Sequence, residues 1–145
     1  MLEPGTVAPD FDLEDHTGAR VRLSNYRGRP VVLWFFPGAD PGRTLEGCAF
    51  RDRMSQFDAR GVQVFGVSVE TAEESAAFAS KSRLGFPLLC DTDRAICVAY
   101  GALEGRDAPT SVQRISWLIG PRGEVVKAYS RVEAAAHAAE ILRDL

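Results

Sequence analysis

Val31-Val32-Leu33-Trp34-Phe35-Phe36 is apolar at every position and is closed by Pro37. A strand with one wet face alternates polar and apolar residues, whereas an unbroken run marks a strand covered by helices on both faces. Downstream, a loop rich in Gly, Pro and Asp occupies 37–43. From Thr44 to about Arg60 the spacing turns helical, with Phe50, Met54 and Phe57 on one stripe at i, i+4 and i+7. Gly61 follows as the expected C-cap. Val62 to Val69 reads as a second buried strand, 71–82 as a helix rich in Glu and Ala, Phe86-Pro87-Leu88-Leu89-Cys90 as a short strand, and Thr92 to Tyr100 as another helix. Strands alternating with helices need crossover connections and therefore pair in parallel. Upstream, Phe11-Asp12-Leu13 and Arg20-Val21-Arg22-Leu23 alternate around His16-Thr17-Gly18 and predict a hairpin, broken at Ser24-Asn25-Tyr26-Arg27-Gly28. Toward the other end, Arg114 to Ile119 and Glu124 to Tyr129 predict an antiparallel pair joined by Gly120-Pro121-Arg122-Gly123, followed by a helix over 132–145. The pattern predicts an α/β protein with a mixed central sheet flanked by helices, organised as one domain over 1–145.

The composition narrows the function classes. A chain of 145 residues buries roughly 68–70% of the surface its unfolded form exposes, enough for a core without a metal or disulfide staple. A net charge of −3 with no run of Lys or Arg lacks the footprint that nucleic-acid backbones select. No segment has the length of an apolar membrane span, and Met1-Leu2-Glu3-Pro4-Gly5 has no basic leader, so a cytoplasmic location is expected. The three cysteines form no CxxC and the two histidines are far apart. That argues against a disulfide framework, a zinc site and a thioredoxin-like disulfide reductase, and leaves thiols that are reduced at rest.

Val7-Ala8-Pro9-Asp10-Phe11, Val32-Leu33-Trp34-Phe35-Phe36-Pro37, Gly47-Cys48-Ala49-Phe50-Arg51-Asp52 and Arg114-Ile115-Ser116-Trp117-Leu118-Ile119 resemble the peroxiredoxins of the AhpC/TSA superfamily, specifically the Q-type or bacterioferritin-comigratory group. Phe86-Pro87-Leu88-Leu89 and the tail around His137 agree. The resemblance runs in order along essentially the whole chain and implies a thioredoxin-like fold with the peroxiredoxin N-terminal hairpin. In that family a PxxxTxxC motif follows the buried strand. Its cysteine thiolate attacks the peroxide bond and becomes a sulfenic acid. A helix start and a nearby arginine favour the thiolate, and the threonine and free amides hold the peroxide.

Setting Pro41-Gly42 and Phe50-Arg51-Asp52 on the family's anchors puts Arg43 at the peroxidatic position, Asp40 at that of the threonine and Cys48 at the resolving position. A second pairing matches Pro41 and Cys48 to the ends of PxxxTxxC, with Leu45 at the threonine position and Thr44 one residue early. A guanidinium stays protonated and cannot be the nucleophile, so Arg43 reads as a solvated loop residue or as an anion binder near the helix start, and Asp40-Pro41 with Thr44 as a turn and helix cap. Cys48 lies about 160° around the helix from the apolar stripe, at about 100° per residue. It is expected partly exposed, with Thr44, Arg51 and Asp52 as helical neighbours. It reads either as an activated thiol or as an idle resolving one.

The resemblance makes Arg114 the arginine that supports the thiolate; read on the residues alone, it is a strand-end arginine paired to a surface carboxylate. Cys90 and Cys97 read as small core residues, or as resolving thiols for Cys48. The resemblance implies a thiol peroxidase acting on hydrogen peroxide or organic hydroperoxides, with Cys48, Arg114 and Thr44 at its centre. It implies a thioredoxin-type dithiol as reductant, no metal or organic cofactor, and a monomer or weak dimer. The competing reading is a peroxiredoxin fold that has lost catalysis and serves as a binding or redox-sensing module.

Overall fold

In the computed structural model, residues 1–38, 41–105 and 111–145 are described. Five strands form the central sheet in the order β5-β4-β3-β6-β7: β3 Val31–Phe35, β4 Gln63–Ser68, β5 Leu88–Cys90, β6 Ile115–Ile119 and β7 Val125–Tyr129. β4 pairs in parallel with β3 and β5, while β6 runs antiparallel to β3 and β7. The sheet is therefore mixed, as the alternation of strands and helices predicts. The hairpin is present too, as the antiparallel pair β1 Asp12–Glu14 and β2 Arg20–Arg22. Its turn docks on the outer edge of β5, where the Leu88 amide donates to His16 Nδ1 at 3.1 Å and Asp15 bridges Leu89.

Alternation along β3 builds two cores. Val31, Leu33 and Phe35 face one, with Phe65, Leu89, Cys97, Tyr100 and Trp117; Val32, Trp34 and Phe36 face the other, with Phe50, Phe57, Phe78, Phe86 and Ile141. The first lies under α4 Ala95–Tyr100 and the hairpin. The second lies under α1 Pro41–Asp52, α2 Met54–Ala59, α3 Ala72–Ser82 and α5 His137–Asp144. Gly66 stands opposite Trp34 in the β3–β4 register. A Cβ there would fall 2.7 Å from Leu88 Cδ2 and 3.0 Å from Trp34 Cε2, so the absent side chain makes room for the indole.

Four helix boundaries differ appreciably from the sequence-based expectation, each for a local reason. The helix placed at Thr44 begins at Pro41, because proline's fixed φ suits a first turn and its missing N–H is not needed there. Thr44 is consequently an exposed residue inside α1 and not a cap. The expectation for Asp40 falls outside the described residues. The same helix breaks at Arg53, whose φ of −114° and ψ of 9° leave the helical region while its amide closes a tight turn on Phe50 O at 3.0 Å. α4 starts three residues after Thr92, where the buried Asp91 carboxylate accepts from the Ile96 and Cys97 amides at 3.2 and 2.7 Å. α5 starts at His137 after a turn in which Ala136 N donates to Glu133 O at 3.0 Å. Among the described residues, no helix is long and apolar enough to cross a membrane.

Candidate active site

α1 lies over the second core and presents three faces. Glu46 and Phe50, one turn apart, point at the sheet and are 0% exposed. Arg43, Gly47 and Arg51, again one turn apart, meet α3. The Arg43 guanidinium sits 4.4 Å over the Phe78 ring, a Cβ on Gly47 would lie 3.2 Å from Phe78 Cζ, and Arg51 Nη1 donates to Ser82 O at 2.7 Å. Cys48 is about 100° beyond Gly47 and faces outward. It is half-buried and opens on a groove of about 480 Å³ shared with Leu45, Asp52, Arg53, Gln56 and Ala135, the last from the segment before α5. Arg51 is within electrostatic reach: Asp52 first, and the charge of Cys48 second, hold its guanidinium above its ordinary pKa.

Arg43 and the partner of Arg114 differ from what the residues alone suggest. Arg43 is a helical residue with 17% side-chain exposure, ion-paired to Glu70 at the end of β4 and stacked on Phe78. It is not a solvated loop arginine, because α1 already begins at Pro41 and its rotation carries position 43 into the seam between α1 and α3. Arg114 directs Nη1 to Glu46 Oε1 at 2.5 Å, and the carboxylate it meets is wholly buried, not at the surface.

The remaining cysteines are buried. Cys90, 7% exposed, ends β5 beneath α3 with its Sγ 3.7 Å from Ser75 Oγ. Cys97, 0% exposed, lies in the core on the opposite face of the sheet. All three cysteines are free thiols. Burial pushes the Cys90 thiol up, and pushes that of Cys97 up further with the help of the Asp91 charge; a protonated thiol is a poor nucleophile. Among the described residues, no three of His, Cys, Asp or Glu gather as a metal would require.

Sequence reading missed Glu46, Glu70 and Phe78. Glu46 carried a signal, since it stands one turn before Phe50 on the apolar stripe and a carboxylate there demands a partner. Glu70 and Phe78 carried none. Their roles depend on how α3 packs.

The chain matches the AhpC/TSA family model over residues 4–128. It belongs to that family. A putative peroxiredoxin of Mycobacterium tuberculosis is 38% identical over 149 aligned residues, covering 99% of this chain and 95% of that protein. The crystal structure of the peroxidoxin BcpB from Mycobacterium tuberculosis superposes with a TM-score of 0.90 at 31% identity, covering 99% and 96% of the two chains. A Xanthomonas campestris bacterioferritin comigratory protein, solved in work on its alkyl peroxide reduction activity, gives a TM-score of 0.87 at 28% identity, covering 99% and 94%. The peroxiredoxins are thiol-dependent peroxidases, and the thioredoxin-like sheet with its N-terminal hairpin is their fold.

Proposed function

We propose that this chain is a thiol peroxidase whose nucleophile is Cys48, acting on hydrogen peroxide or small organic hydroperoxides and drawing its electrons from a thioredoxin-type dithiol. The observation that carries this reading is exposure: of the three cysteines, Cys90 and Cys97 are sealed in cores at 7% and 0%, and Cys48 alone opens on a groove. In this reading Arg43 stands at the family's first cysteine position and Cys48 at its second. The thiolate attacks one peroxide oxygen, the S–O bond forms as O–O breaks, and the departing hydroxide or alkoxide takes a proton to leave as water or an alcohol. Arg51 is the cation at hand for the thiolate. Arg114 acts on α1 through Glu46, and Thr44 is exposed one turn before Cys48. The test is peroxide consumption by the reduced protein with a dimedone-type trap. Wild type is expected to consume peroxide and carry the label at Cys48, and Cys48→Ser to do neither; unchanged consumption by Cys48→Ser overturns the assignment.

The Arg43–Glu70 pair and the Glu46–Arg114 pair favour a second reading, a peroxiredoxin fold retained as a redox-sensing or binding module. It predicts no labelling of wild type faster than that of a free thiol, and activity that appears in Arg43→Cys.

A further inference from the structure

We propose that the face shared by α2 and α5 binds an amphipathic phosphate monoester, its phosphate held by Arg53, Arg60 and Arg143 and its apolar body lying along the Cys48 groove. α2 and the residue on each side of it place Arg53, Gln56 and Arg60 at i, i+3 and i+7, on one helical face. α5 meets them with Ala139, Leu142 and Arg143 at i, i+3 and i+4. These six residues line a groove of about 240 Å³, whose wall holds three guanidiniums and, among the described residues, no carboxylate. Arg60 Nη1 donates to Leu142 O at 2.7 Å. That bond satisfies a carbonyl in the last turn of α5 and fixes one guanidinium at the groove before a ligand arrives.

The carboxylates nearest in sequence are engaged elsewhere. Asp52 pairs with Arg51 at 2.9 Å and Glu140 with His137 at 3.1 Å. Asp144 accepts from Lys127 and Tyr129, both at 2.8 Å, and feels Arg143 only through its charge. Asp58, two residues from both Gln56 and Arg60, takes the far side of α2. Among the described residues, no ion pair joins Arg53, Arg60 or Arg143 to a carboxylate.

Three guanidiniums select the anion. A carboxylate offers two oxygens and is matched by a single arginine fork, whereas a phosphate monoester carries about −1.5 to −2 charge near neutral pH and three accepting oxygens. Pockets that bury a whole organic ligand usually run to about 300–1,000 Å³, so this groove takes the charged head alone. The body has somewhere to go, because Arg53 and Gln56 also line the groove at Cys48. There Leu45, 56% exposed, stands with Ala49 and Ala135 in the wall and supplies apolar surface. A ligand that extends from the arginines past Gln56 therefore covers the thiol.

The experiment titrates the reduced full chain at pH 7.5 and low salt with phenyl phosphate, inorganic phosphate and benzoate, followed by amide NMR shifts, and times the alkylation of Cys48 in each. None of the probes reacts with a thiol, so the outcome does not depend on whether Cys48 reduces peroxide. Phenyl phosphate is expected to bind with a Kd of about 1 mM or tighter, to move resonances on α2 and α5, and to slow Cys48 alkylation. Inorganic phosphate is expected to move the same resonances without protecting the thiol, and benzoate to bind about tenfold more weakly than phenyl phosphate. Arg53→Gln and Arg143→Gln are each expected to weaken phenyl phosphate about tenfold with unfolding midpoints near that of wild type, and Arg143→Lys to keep part of the affinity. Vesicles of phosphatidylcholine carrying phosphatidic acid distinguish the source: sedimentation with them that phenyl phosphate reverses assigns a lipid headgroup, and binding of phenyl phosphate without sedimentation assigns a soluble ester. No saturable shift on α2 and α5, benzoate binding as tightly as phenyl phosphate, folded arginine variants that bind like wild type, or Cys48 alkylated at an unchanged rate under saturating phenyl phosphate would each overturn the proposal.

Discussion

Replacing Arg114 with methionine keeps an extended side chain but removes the guanidinium that neutralises Glu46, a carboxylate 0% exposed and 2.5 Å from its partner. At an effective dielectric near 20, two unit charges about 4 Å apart attract by about 4 kcal/mol. Breaking a buried pair from one side costs about 3–5 kcal/mol, because the charge that stays is still buried. For a domain of this size, that range lowers the thermal midpoint by about 10–15 °C. The assay is urea unfolding followed by tryptophan fluorescence, with a thermal scan as a second readout. Glu46→Gln added to Arg114→Met is expected to recover most of the loss, since the amide keeps the shape and discards the charge. An Arg114→Met protein within about 1 kcal/mol of wild type would refute the reasoning, as would a double variant no more stable than Arg114→Met alone.

His137 is 1% exposed, and its imidazole pKa is pushed below the ordinary value by burial, opposed by Glu140 and reinforced by the charge of Arg114. Below pH about 6.5 the unfolded chain therefore binds a proton that the folded chain resists. Stability is expected to fall as the pH drops from 6.5 toward 5, by up to about 1.4 kcal/mol per unit; His137→Phe should flatten that limb, and identical slopes would exclude the mechanism. Gly66→Ala should cost about 1–3 kcal/mol by overpacking, since the new methyl meets Leu88 and Trp34; denaturant midpoints check it. A thiol-specific alkylating reagent is expected to label Cys48 in the native protein and reach Cys90 and Cys97 only in urea; native labelling of either would contradict their burial.

What the sequence disclosed followed from local periodicity. The apolar run at Val31–Phe36, the alternating hairpin and the turn at Gly120–Gly123 each announce their element within a few residues, and the mixed sheet follows from their order. The outward-facing Cys48 was legible for the same reason, since a 100° step fixes which side of α1 a residue takes. Boundaries governed by a distant or unusual contact were not legible: α4 waits for the Asp91 carboxylate to cap it, and α1 breaks at Arg53 although the Phe50, Met54, Phe57 stripe runs through unbroken. The two ion pairs on α1 were the least visible. Arg43 finds Glu70 across 27 residues and Arg114 finds Glu46 across 68. Whether a guanidinium meets a thiolate or a carboxylate at that range depends on how α1 is rotated on the sheet, which no single segment records.

The pairing of Arg43 with Glu70 ties two positions into one hereditary unit. Glu70 is 10% exposed at its side chain, so any change at 43 that removes the cation leaves an anion in a poorly hydrated seam. Any thiol installed there would ionise beside a standing negative charge. A change at position 43 alone is therefore expected to cost stability that Glu70→Gln restores, which paired urea midpoints would show. Sequence change at these two sites should therefore be correlated, and single-site libraries scanned at 43 will underestimate what that position tolerates.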